Sequence, residues 1–491
     1  MTAHNSWMKR AAGILGAAAG AWLLGCSDEP PPAPSVCAVA DQTCGVCGGV
    51  PGGDVCGDDI CTQGVTCAEV VTVSSDADLP SKVAAAKPGD CLALVSGHYG
   101  VVTLPGGVSL LGRSAAAVTV DSITVTAGAG TVLRGLGVGS GGVELLGATG
   151  VRIESVRITG SPLVNRDGIA LDPGSSATVV SSTIEGAGRV GVYAKDADVT
   201  LDRCIVSGAQ VAGVWIEGSS CDGQCACSSR PTLTMNNNAI RDNHLLGLST
   251  RGATVNLACT DVTGTRAGDK VMTGQRGGGV AATQCSNVSA TRLRVLDSED
   301  WGVLIDGSTA KLGAPTSSDE TVEISRNRRG LWVQNVVYNA ACSSIASCGE
   351  LHNATLAENL GVGLGISGAT RGWVICKASI TGTQTANLPV SDENGFVGAS
   401  KAVGDGLDWL DGSEVRIEQL TLSGNERQSL LIDGPASGDI GSLTLGAGEE
   451  PILQQNLMGG AQPTQGNGVS LATQATRKFA VPLPLTVPAP I

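Results

Sequence analysis

The stretch GVYAKDADVTLDRCIVSGAQVAGVWIEG, residues 191–218, contains one five-residue pattern twice, as GVYAK at Gly191 and as GVWIE at Gly213. The pattern is a glycine followed by apolar residues at alternating positions. Further copies begin at Gly168, Gly247, Gly279, Gly302, Gly330, Gly363 and Gly406, with a related copy at Ser429. Intervals of 22 and 23 residues recur, and the longer intervals fit the same unit with inserted loops. Such a fixed period predicts a solenoid.

A second segment lies between successive copies, as in VRIESVRITG at 151–160 and VTLDRCIVSG at 199–208, and it has the pattern of two short strands and a turn. One unit therefore holds about three short strands, which cannot bury their apolar side alone. Stacked copies bury it, with strands about 4.8 Å apart. Alternation predicts two inward rows, namely Val192, Val214, Leu248, Val280, Val303, Leu331, Leu364 and Leu171, Ala194, Ile216, Ala282, Ile305, Val333, Ile366.

The segment AAAKPGDCLALVSGHYGVVTLPGGVSLLG, residues 84–112, resembles the first turns of right-handed parallel β-helices of the pectin lyase-like superfamily. The preceding DADLPSKVAAA resembles their short capping helix, with Pro80 in a first turn. We therefore expect an all-β fold, a right-handed parallel β-helix with three short strands per turn, over residues 68–456. The superfamily includes lyases, hydrolases, esterases, epimerases, adhesins and non-catalytic surface proteins, so the resemblance does not decide the function.

The chain start indicates export. Residues 1–25 combine Lys9 and Arg10 with a short apolar run, as in a signal peptide. The ending Leu23-Leu24-Gly25-Cys26 resembles the lipobox of bacterial lipoproteins, which implies a lipid anchor on Cys26. Ser27 after the cysteine implies the outer membrane or the cell surface. The proline-rich residues 26–36 are predicted to be a tether, and residues 457–491 a tail of low order.

An exported chain meets an oxidising compartment, where disulfides are the default. Residues 37–67 are therefore predicted to be a disulfide-rich segment, and two later loops also hold cysteines. The candidates are Cys37, Cys44, Cys47, Cys56, Cys61, Cys67, Cys221, Cys225, Cys227, Cys342 and Cys348. Their connectivity stays open.

The net charge of the chain limits the classes of partner that it can bind. The net charge is −14, and it becomes −16 when Lys9 and Arg10 leave with the signal peptide. An acidic surface argues against nucleic acid, because the phosphate backbone is bound through cationic side chains. Polyanionic glycans would likewise be repelled without bridging cations.

The outward positions of the glycine-containing strand carry the ligand-binding candidates. Two residues after the glycine stand Tyr193, Trp215 and Trp332, and four residues after it stand Lys195, Glu217, Arg251 and Asp306. Aromatic rings beside polar groups suit sugars, whose C–H faces stack on rings. The alternative is a solvated face whose opposite charges pair between turns. Inserted residues at about 218–231, 264–278, 307–320, 335–349 and 383–405 place loops on both edges of this face, which favours a groove.

Catalytic signals are weak. The resemblance implies clustered aspartates and a Gly-His-Gly for a hydrolase, but the tripeptide is absent, and His98, His244 and His352 are far apart in sequence. The residues around SATRLRVLDSEDWGVLID are the candidate site of a lyase, and Asp405, Asp408, Asp411 and Glu414 are a candidate calcium site. Neither pattern is specific, so we predict no catalytic residue, no metal site and no cofactor, with calcium as the alternative.

Two functions are therefore compatible with the sequence. The favoured one is a cell-envelope surface lipoprotein whose β-helix is a non-catalytic binding or structural module for glycans or partner surfaces. The alternative is a carbohydrate-active enzyme of the polysaccharide lyase type that acts on uronate-containing polymers.

Overall fold

The structure is a computed structural model that describes residues 64–219, 225, 227, 229–268, 277–314, 321–336, 349–368, 370–388, 401–410, 413–433, 437–440, 443–445, 454–455 and 469–472. The predicted signal peptide, the lipidation site Cys26 and the tether lie outside the described residues. Several disulfide candidates also lie outside them, namely Cys37, Cys44, Cys47, Cys56, Cys61, Cys221, Cys342 and Cys348.

Short strands and one helix make up the described chain. The first third holds β1 Val70–Val73, α1 Leu79–Ala85, β2 Cys91–Leu94, β3 Gly97–Leu104, β4 Ser109–Leu111, β5 Val118–Ala129, β6 Val132–Arg134, β7 Gly137–Val138, β8 Val143–Thr149, β9 Val151–Glu154 and β10 Arg157–Thr159. The middle holds β11 Ile169–Leu171, β12 Ser176–Val180, β13 Thr183–Glu185, β14 Val190–Lys195, β15 Asp198–Asp202, β16 Ile205–Ser207, β17 Ala212–Glu217, β18 Thr232–Arg241, β19 Leu246–Arg251, β20 Thr254–Thr263, β21 Gly278–Thr283, β22 Asn287–Leu296 and β23 Trp301–Asp306. The remainder holds β24 Thr309–Leu312, β25 Val322–Ser325, β26 Arg329–Gln334, β27 Gly349–Leu351, β28 Ala354–Ala357, β29 Val362–Ser367, β30 Trp373–Ile375, β31 Ala378–Thr381, β32 Ala386–Leu388, β33 Lys401–Val403, β34 Asp405–Trp409, β35 Glu414–Ile417, β36 Leu420–Ser423, β37 Gln428–Asp433, β38 Ser437–Ile440, β39 Leu443–Leu445, β40 Gln454–Gln455 and β41 Val469–Ala472.

Strands of successive turns pair in parallel and form three columns that run along one axis. Column 1 contains β3, β5, β8, β11, β14, β17, β19, β21, β23, β26, β29, β34, β37 and β41. Column 2 runs from β1 through β2, β4, β6, β9, β12 and β15 to β24, β27, β30, β35 and β38. Column 3 includes β7, β10, β13, β16, β25, β28, β31, β36 and β39. The long strands β18, β20 and β22 bend, so that the first part of each pairs in column 2 and the second part in column 3. The predicted solenoid with three strands per turn is confirmed.

The predicted facing of the strands is also confirmed. Both inward rows of column 1 are at most 1% exposed and belong to one continuous core. A one-residue shift in register would have exposed these rows, so the alternation in the sequence identified the core side correctly.

The glycine repeat has a steric cause. A Cβ added at Gly213 would lie 2.6 Å from Ile240 Cγ2 of column 3 and 2.7 Å from the Gly247 carbonyl oxygen of the next turn. Gly191, Gly247 and Gly279 meet the same kind of neighbours. Because these positions lie where columns 3 and 1 meet, only glycine leaves room for the neighbouring turn.

Buried polar side chains fill the corner beside the glycines. Asn243, Asn327, Asn359 and Asn425 are all 0% exposed. Asn327 Oδ1 accepts a hydrogen bond from the Ser298 amide at 2.9 Å, and its Nδ2 donates to the carbonyl oxygens of Val295 and Ser325 at 3.1 Å. These side chains therefore satisfy backbone groups that the turn leaves unpaired.

The short helix that the sequence predicts before the first turn is α1, with Pro80 in its first helical turn. Its Leu79 is buried. A disulfide joins Cys67, just before β1, to Cys91 at the start of β2. Within the described residues, no helix is long and apolar enough to cross a bilayer.

Candidate functional site

The outward side chains of column 1 form the two rows that the sequence predicts. The register places Tyr193 beside Trp215, and the row continues through Ser249, Ala281, Leu304, Trp332, Gly365 and Asp408. Two residues further along each strand, the second row contains Lys195, Glu217, Arg251, Thr283, Asp306 and Gln334. We call this outward surface the column 1 face.

One group of side chains, here called the N-terminal cluster, comprises Asp167, Arg189, Tyr193, Trp215 and Glu217. The two rings meet edge to face, with centroids 6.4 Å apart and planes at 82°. The Tyr193 hydroxyl donates a hydrogen bond to Glu217 Oε1 at 2.6 Å. The Arg189 guanidinium lies 4.8 Å from the Tyr193 ring centroid and is held by two hydrogen bonds to Asp167, one of them 2.7 Å long. The rings thus form a perpendicular pair and not the flat platform that the sequence suggested.

Burial and charge fix the protonation of this cluster. The hydrogen bond to Asp167 holds the pKa of Arg189 above its ordinary value. Burial, followed by the hydrogen bond to Glu217, raises the pKa of Tyr193 well above its ordinary value. Arg189 is therefore cationic and Tyr193 a neutral hydroxyl at physiological pH.

The expected pairing of alternating charges between turns does not occur in this part of the second row. Glu217 accepts a hydrogen bond from Tyr193, and the strand register brings exposed Lys195 and Arg251 to either side of it. Among the described residues, no ion pair joins these three side chains. Two exposed cations thus stand beside the rings.

A second group, here called the C-terminal cluster, comprises Asp300, Trp301, Arg329, Trp332 and Gln334. Arg329 lies 5.9 Å from the Trp332 ring centroid and 3.5 Å from Asp300 Oδ1. The Trp332 indole N–H donates to Gln334 Oε1 at 3.0 Å. Like the first cluster, this one joins an aspartate, an arginine and an aromatic ring.

Glycines leave space for both indoles. A Cβ at Gly365 would collide with the six-membered ring of Trp332, and a Cβ at Gly278 would collide with the indole of Trp301. Each ring therefore lies over the backbone of a neighbouring turn. Both tryptophans are half-buried.

The predicted ligand-binding residues thus fall in two places. Tyr193, Trp215, Lys195, Glu217 and Arg251 lie on β14, β17 and β19, whereas Asp306 and Trp332 lie on β23 and β26. Asp306 accepts a hydrogen bond from Asn335 Nδ2 at 2.9 Å. Ser249, Ala281 and Leu304 separate Trp215 from Trp332 in the first row.

Disulfides fix one edge of the face. Cys225, in the insertion after β17, is bonded to Cys285, which follows β21 two turns further along the axis. Cys227 of the same insertion is also disulfide-bonded. The predicted disulfide bonding of Cys225 and Cys227 is confirmed, although the partner Cys285 was not among the candidates.

The candidate lyase residues are dispersed. Arg294 lies on β22 between Asp261 at 3.5 Å and Glu323 at 3.0 Å. Asp297 is paired with Arg326, while Asp300 belongs to the C-terminal cluster. Each of these three charges therefore pairs with a different side chain, as expected for charges that neutralise one another between turns.

The calcium candidate is similarly divided. Both Asp405 carboxylate oxygens accept hydrogen bonds from Arg427, one of them at 2.7 Å. Glu414 begins β35 in column 2, and Asp411 lies outside the described residues. Within the described part of the chain, no group of three or more histidine, cysteine, aspartate or glutamate side chains is arranged to hold a metal ion.

Each cluster contains an arginine paired with an aspartate, namely Arg189 with Asp167 and Arg329 with Asp300. The sequence did not lead us to predict these pairs as part of the site. The available signal was their position one or two residues before the glycine of the repeat. Aspartate in one turn and arginine in the next at this position predicts a pair across adjacent strands.

Comparison with known families agrees with this architecture. The family model described as "Right handed beta helix region" matches residues 105–263 and 167–384, which together span more than half of the chain. The chain belongs to this family. The sequence matches no curated protein significantly.

Solved structures with a similar fold include several that act on polysaccharides. An alginate lyase from Paenibacillus sp. str. FPU-7 is 14% identical, with 63% of this chain and 93% of that chain covered and a TM-score of 0.31. The pectate lyase Pel9A is 13% identical, with 60% and 80% covered and a TM-score of 0.36. The A-module of the Azotobacter vinelandii mannuronan C-5 epimerase AlgE4 is 13% identical, with 87% and 98% covered and a TM-score of 0.33. At these identities the likeness concerns the fold alone.

Proposed function

We propose that this protein is a lipid-anchored lipoprotein of the bacterial outer membrane or cell surface whose β-helix binds a glycan without cleaving it. The binding surface is the column 1 face between the N-terminal and C-terminal clusters. The observation that carries the proposal is the recurrence on this face of an aspartate-held arginine beside an aromatic ring.

The chemistry of each cluster suits a sugar. The C–H face of a pyranose stacks on an aromatic ring, and its hydroxyls accept hydrogen bonds from cations and donate them to carboxylates. Tyr193 and Trp215 supply the rings at one end, with Glu217, Lys195 and Arg251 beside them. Because Asp167 already positions Arg189, little side-chain entropy is lost when a ligand arrives.

The spacing of the clusters favours an extended ligand. Tyr193 and Trp332 lie five strands apart in one row, about 24 Å at a strand spacing of about 4.8 Å. Ser249, Ala281 and Leu304 lie between them in the row. A linear glycan parallel to the axis would contact both clusters, and the second contact would raise the affinity by acting at high effective concentration.

The protonation state of Tyr193 argues against its use as a general base. A general base must be unprotonated at the operating pH, whereas the raised pKa of Tyr193 keeps its hydroxyl neutral. Asp167, Asp300 and Asp405 are each held by an arginine. The aromatic and arginine side chains thus serve recognition, while the lipid on Cys26 and the tether would hold the body at the membrane.

The test combines binding with an activity assay. Calorimetry with oligosaccharides of increasing length should show affinity that rises until the chain spans both clusters and then levels off. A panel of uronate-containing polymers should give no ultraviolet absorbance from unsaturated product. Appearance of that product would support the polysaccharide lyase instead, and failure to retain any glycan would leave the face as a surface for a protein partner.

A further inference from the structure

The C-terminal cluster presents hydrogen-bond donors beside its aromatic ring. The indole N–H of Trp332 can only donate, so the Gln334 atom that it contacts at 3.0 Å is the acceptor Oε1. This contact fixes the orientation of the amide, because the amino group Nε2 must then point away from the indole. Among the described residues, the Nε2 group has no hydrogen-bond partner, and Gln334 is only half-buried. Two N–H donors are therefore available next to the ring.

The arginine of this cluster adds further donors. Arg329 lies 5.9 Å from the Trp332 ring centroid, and one of its terminal nitrogens is 3.5 Å from Asp300 Oδ1. A guanidinium has five N–H donors and no acceptor, so this contact does not use them all. A group that approaches the Trp332 ring thus meets donors from both Gln334 and Arg329.

An apolar side chain and a carboxylate lie next to this group. The register places half-buried Leu304 beside Trp332 in the first row, about 4.8 Å away along the axis. Asp306 stands beside Gln334 in the second row. The two carboxylates of Asp300 and Asp306 and the one guanidinium of Arg329 give a formal charge of −1. This charge opposes a negatively charged ligand.

The N-terminal cluster differs in the polar group that accompanies its rings. There Glu217 accepts a hydrogen bond from the Tyr193 hydroxyl through Oε1, and its second carboxylate oxygen is a further acceptor. At the C-terminal end, an amide that presents N–H donors stands in place of this carboxylate. The two ends of the column 1 face therefore favour different substituents on a bound sugar.

We propose that the C-terminal cluster is a subsite for an N-acetylated sugar unit. This inference rests on the proposed glycan-binding function and names the class of sugar. The acetamido carbonyl oxygen accepts a hydrogen bond from Gln334 Nε2, the acetamido methyl group packs on Leu304, and the pyranose ring stacks on Trp332. A carbonyl oxygen accepts without donating, which matches a site that presents N–H donors. An acetamido group is also uncharged, so the formal charge of −1 does not oppose it.

The test is calorimetry with two hexasaccharides of the same linkage, one of glucose and one of N-acetylglucosamine. These ligands differ only in the group at the second carbon of each sugar. We expect the acetylated hexasaccharide to bind about tenfold tighter, because one hydrogen bond and one buried methyl group each contribute about threefold or more. A galacturonate hexasaccharide, which carries carboxylates, should bind more weakly than the acetylated one.

Substitutions separate the contributions to this preference. Gln334→Glu keeps an acceptor for the Trp332 indole but removes the amide donors, so it should abolish the preference for the acetylated ligand. Gln334→Met removes the donors without adding charge and should reduce the preference by about threefold or more. Leu304→Ala should reduce it about threefold, because the acetamido methyl group loses its contact. Gln384→Glu is the matched control, since it makes the same exchange at an exposed glutamine between β31 and β32, and it should keep the preference.

The outcomes distinguish this subsite from glycan binding in general. Equal affinity of the wild type for the glucose and N-acetylglucosamine ligands, or tighter binding of the galacturonate, would overturn the N-acetyl subsite and leave glycan binding intact. Binding of none of the three would overturn the subsite and count against the proposed function as well. A full preference in both folded Gln334 variants, or its loss in folded Gln384→Glu, would also overturn the subsite. If neither Gln334 variant folds, the wild-type preference and its change in Leu304→Ala decide the question.

Discussion

Trp215→Ala is the sharpest test of the glycan-binding face. The ring meets Tyr193 edge to face at 6.4 Å, is half-buried, and points outward from a strand whose inward neighbours Val214 and Ile216 are core. An aromatic contact contributes about 0.5–1.5 kcal/mol beyond area burial. Since about 1.4 kcal/mol corresponds to a factor of ten, we expect glycan affinity to fall about twofold to twelvefold.

The stability change should be small but measurable. Truncation of a fully buried Trp to Ala costs about 3–5 kcal/mol, and a half-buried ring that also loses its Tyr193 contact should cost about 1–2 kcal/mol. Trp215→Phe should cost less than Trp215→Ala, because it keeps a ring against Tyr193. It removes an indole N–H that has no hydrogen-bond partner among the described residues.

Calorimetric binding and thermal unfolding should be measured on the same preparations. Val132→Ala is the matched control, since Val132 is also a half-buried apolar residue but lies on β6 of column 2, away from the column 1 face. A stability loss above about 3 kcal/mol would assign Trp215 to the core. Unchanged affinity with unchanged stability would remove the N-terminal cluster from the binding site.

Four further outcomes are expected. Cys26→Ser should move the protein from the membrane fraction to the soluble one, and unchanged membrane retention would contradict the lipid anchor. Asn327→Ala should lower the free energy of unfolding by about 3 kcal/mol or more in denaturant titration, because it leaves buried backbone groups unpaired. Gly365→Ala should displace Trp332 and weaken glycan binding while the circular dichroism spectrum stays that of β-sheet, and wild-type tryptophan fluorescence would refute the displacement. Burial raises the pKa of Glu154, but hydrogen bonds from Arg152 and Arg134 outweigh burial, so the pKa is lowered. The carboxylate therefore stabilises the fold above its unfolded pKa, and this stabilisation is lost as pH falls through the folded pKa. Glu154→Gln should flatten the dependence of stability on pH between about pH 5 and 3, and an unchanged profile would exclude this carboxylate as its source.

The fold could be predicted because the stacking constraint acts identically on every turn. Each copy must place glycine at the corner and apolar residues at the two inward positions, so the same residue types return at 22 or 23 residues. The buried asparagines were not anticipated, because an asparagine such as Asn327 has the same sequence signature in an exposed turn. Only the structure shows that its side chain bonds the backbone of the adjacent turn, at Val295 and Ser298.

The disulfides show a second limit. The sequence identified Cys67 and Cys225 as bonded but not their partners Cys91 and Cys285, which lie 24 and 60 residues away. Cysteine spacing alone leaves many connectivities open. In a solenoid, residues far apart in sequence become neighbours along the axis according to the lengths of the intervening loops.

The candidate site was predicted as positions and not as contacts. The first row correctly contained Tyr193, Trp215 and Trp332, because alternation determines which side chains point outward. Alternation did not determine that Glu217 would accept a hydrogen bond from Tyr193 and would not pair with Lys195. Several polar neighbours compete for each outward side chain, and small differences in geometry decide among them.

The contrast between inward and outward rows indicates where function lies on this molecule. Stability constrains the inward rows and the glycine corner, and both repeat from turn to turn. The outward rows carry no such constraint, yet they depart from a uniform polar surface at two places, each with a half-buried aromatic ring and an arginine held by an aspartate. Exposed apolar rings do not increase the solubility of a surface, and ordering a flexible arginine side chain costs conformational entropy. A solvated surface alone therefore does not account for a pair of such clusters in one row, and the glycan proposed to contact both ends of the column 1 face would account for it.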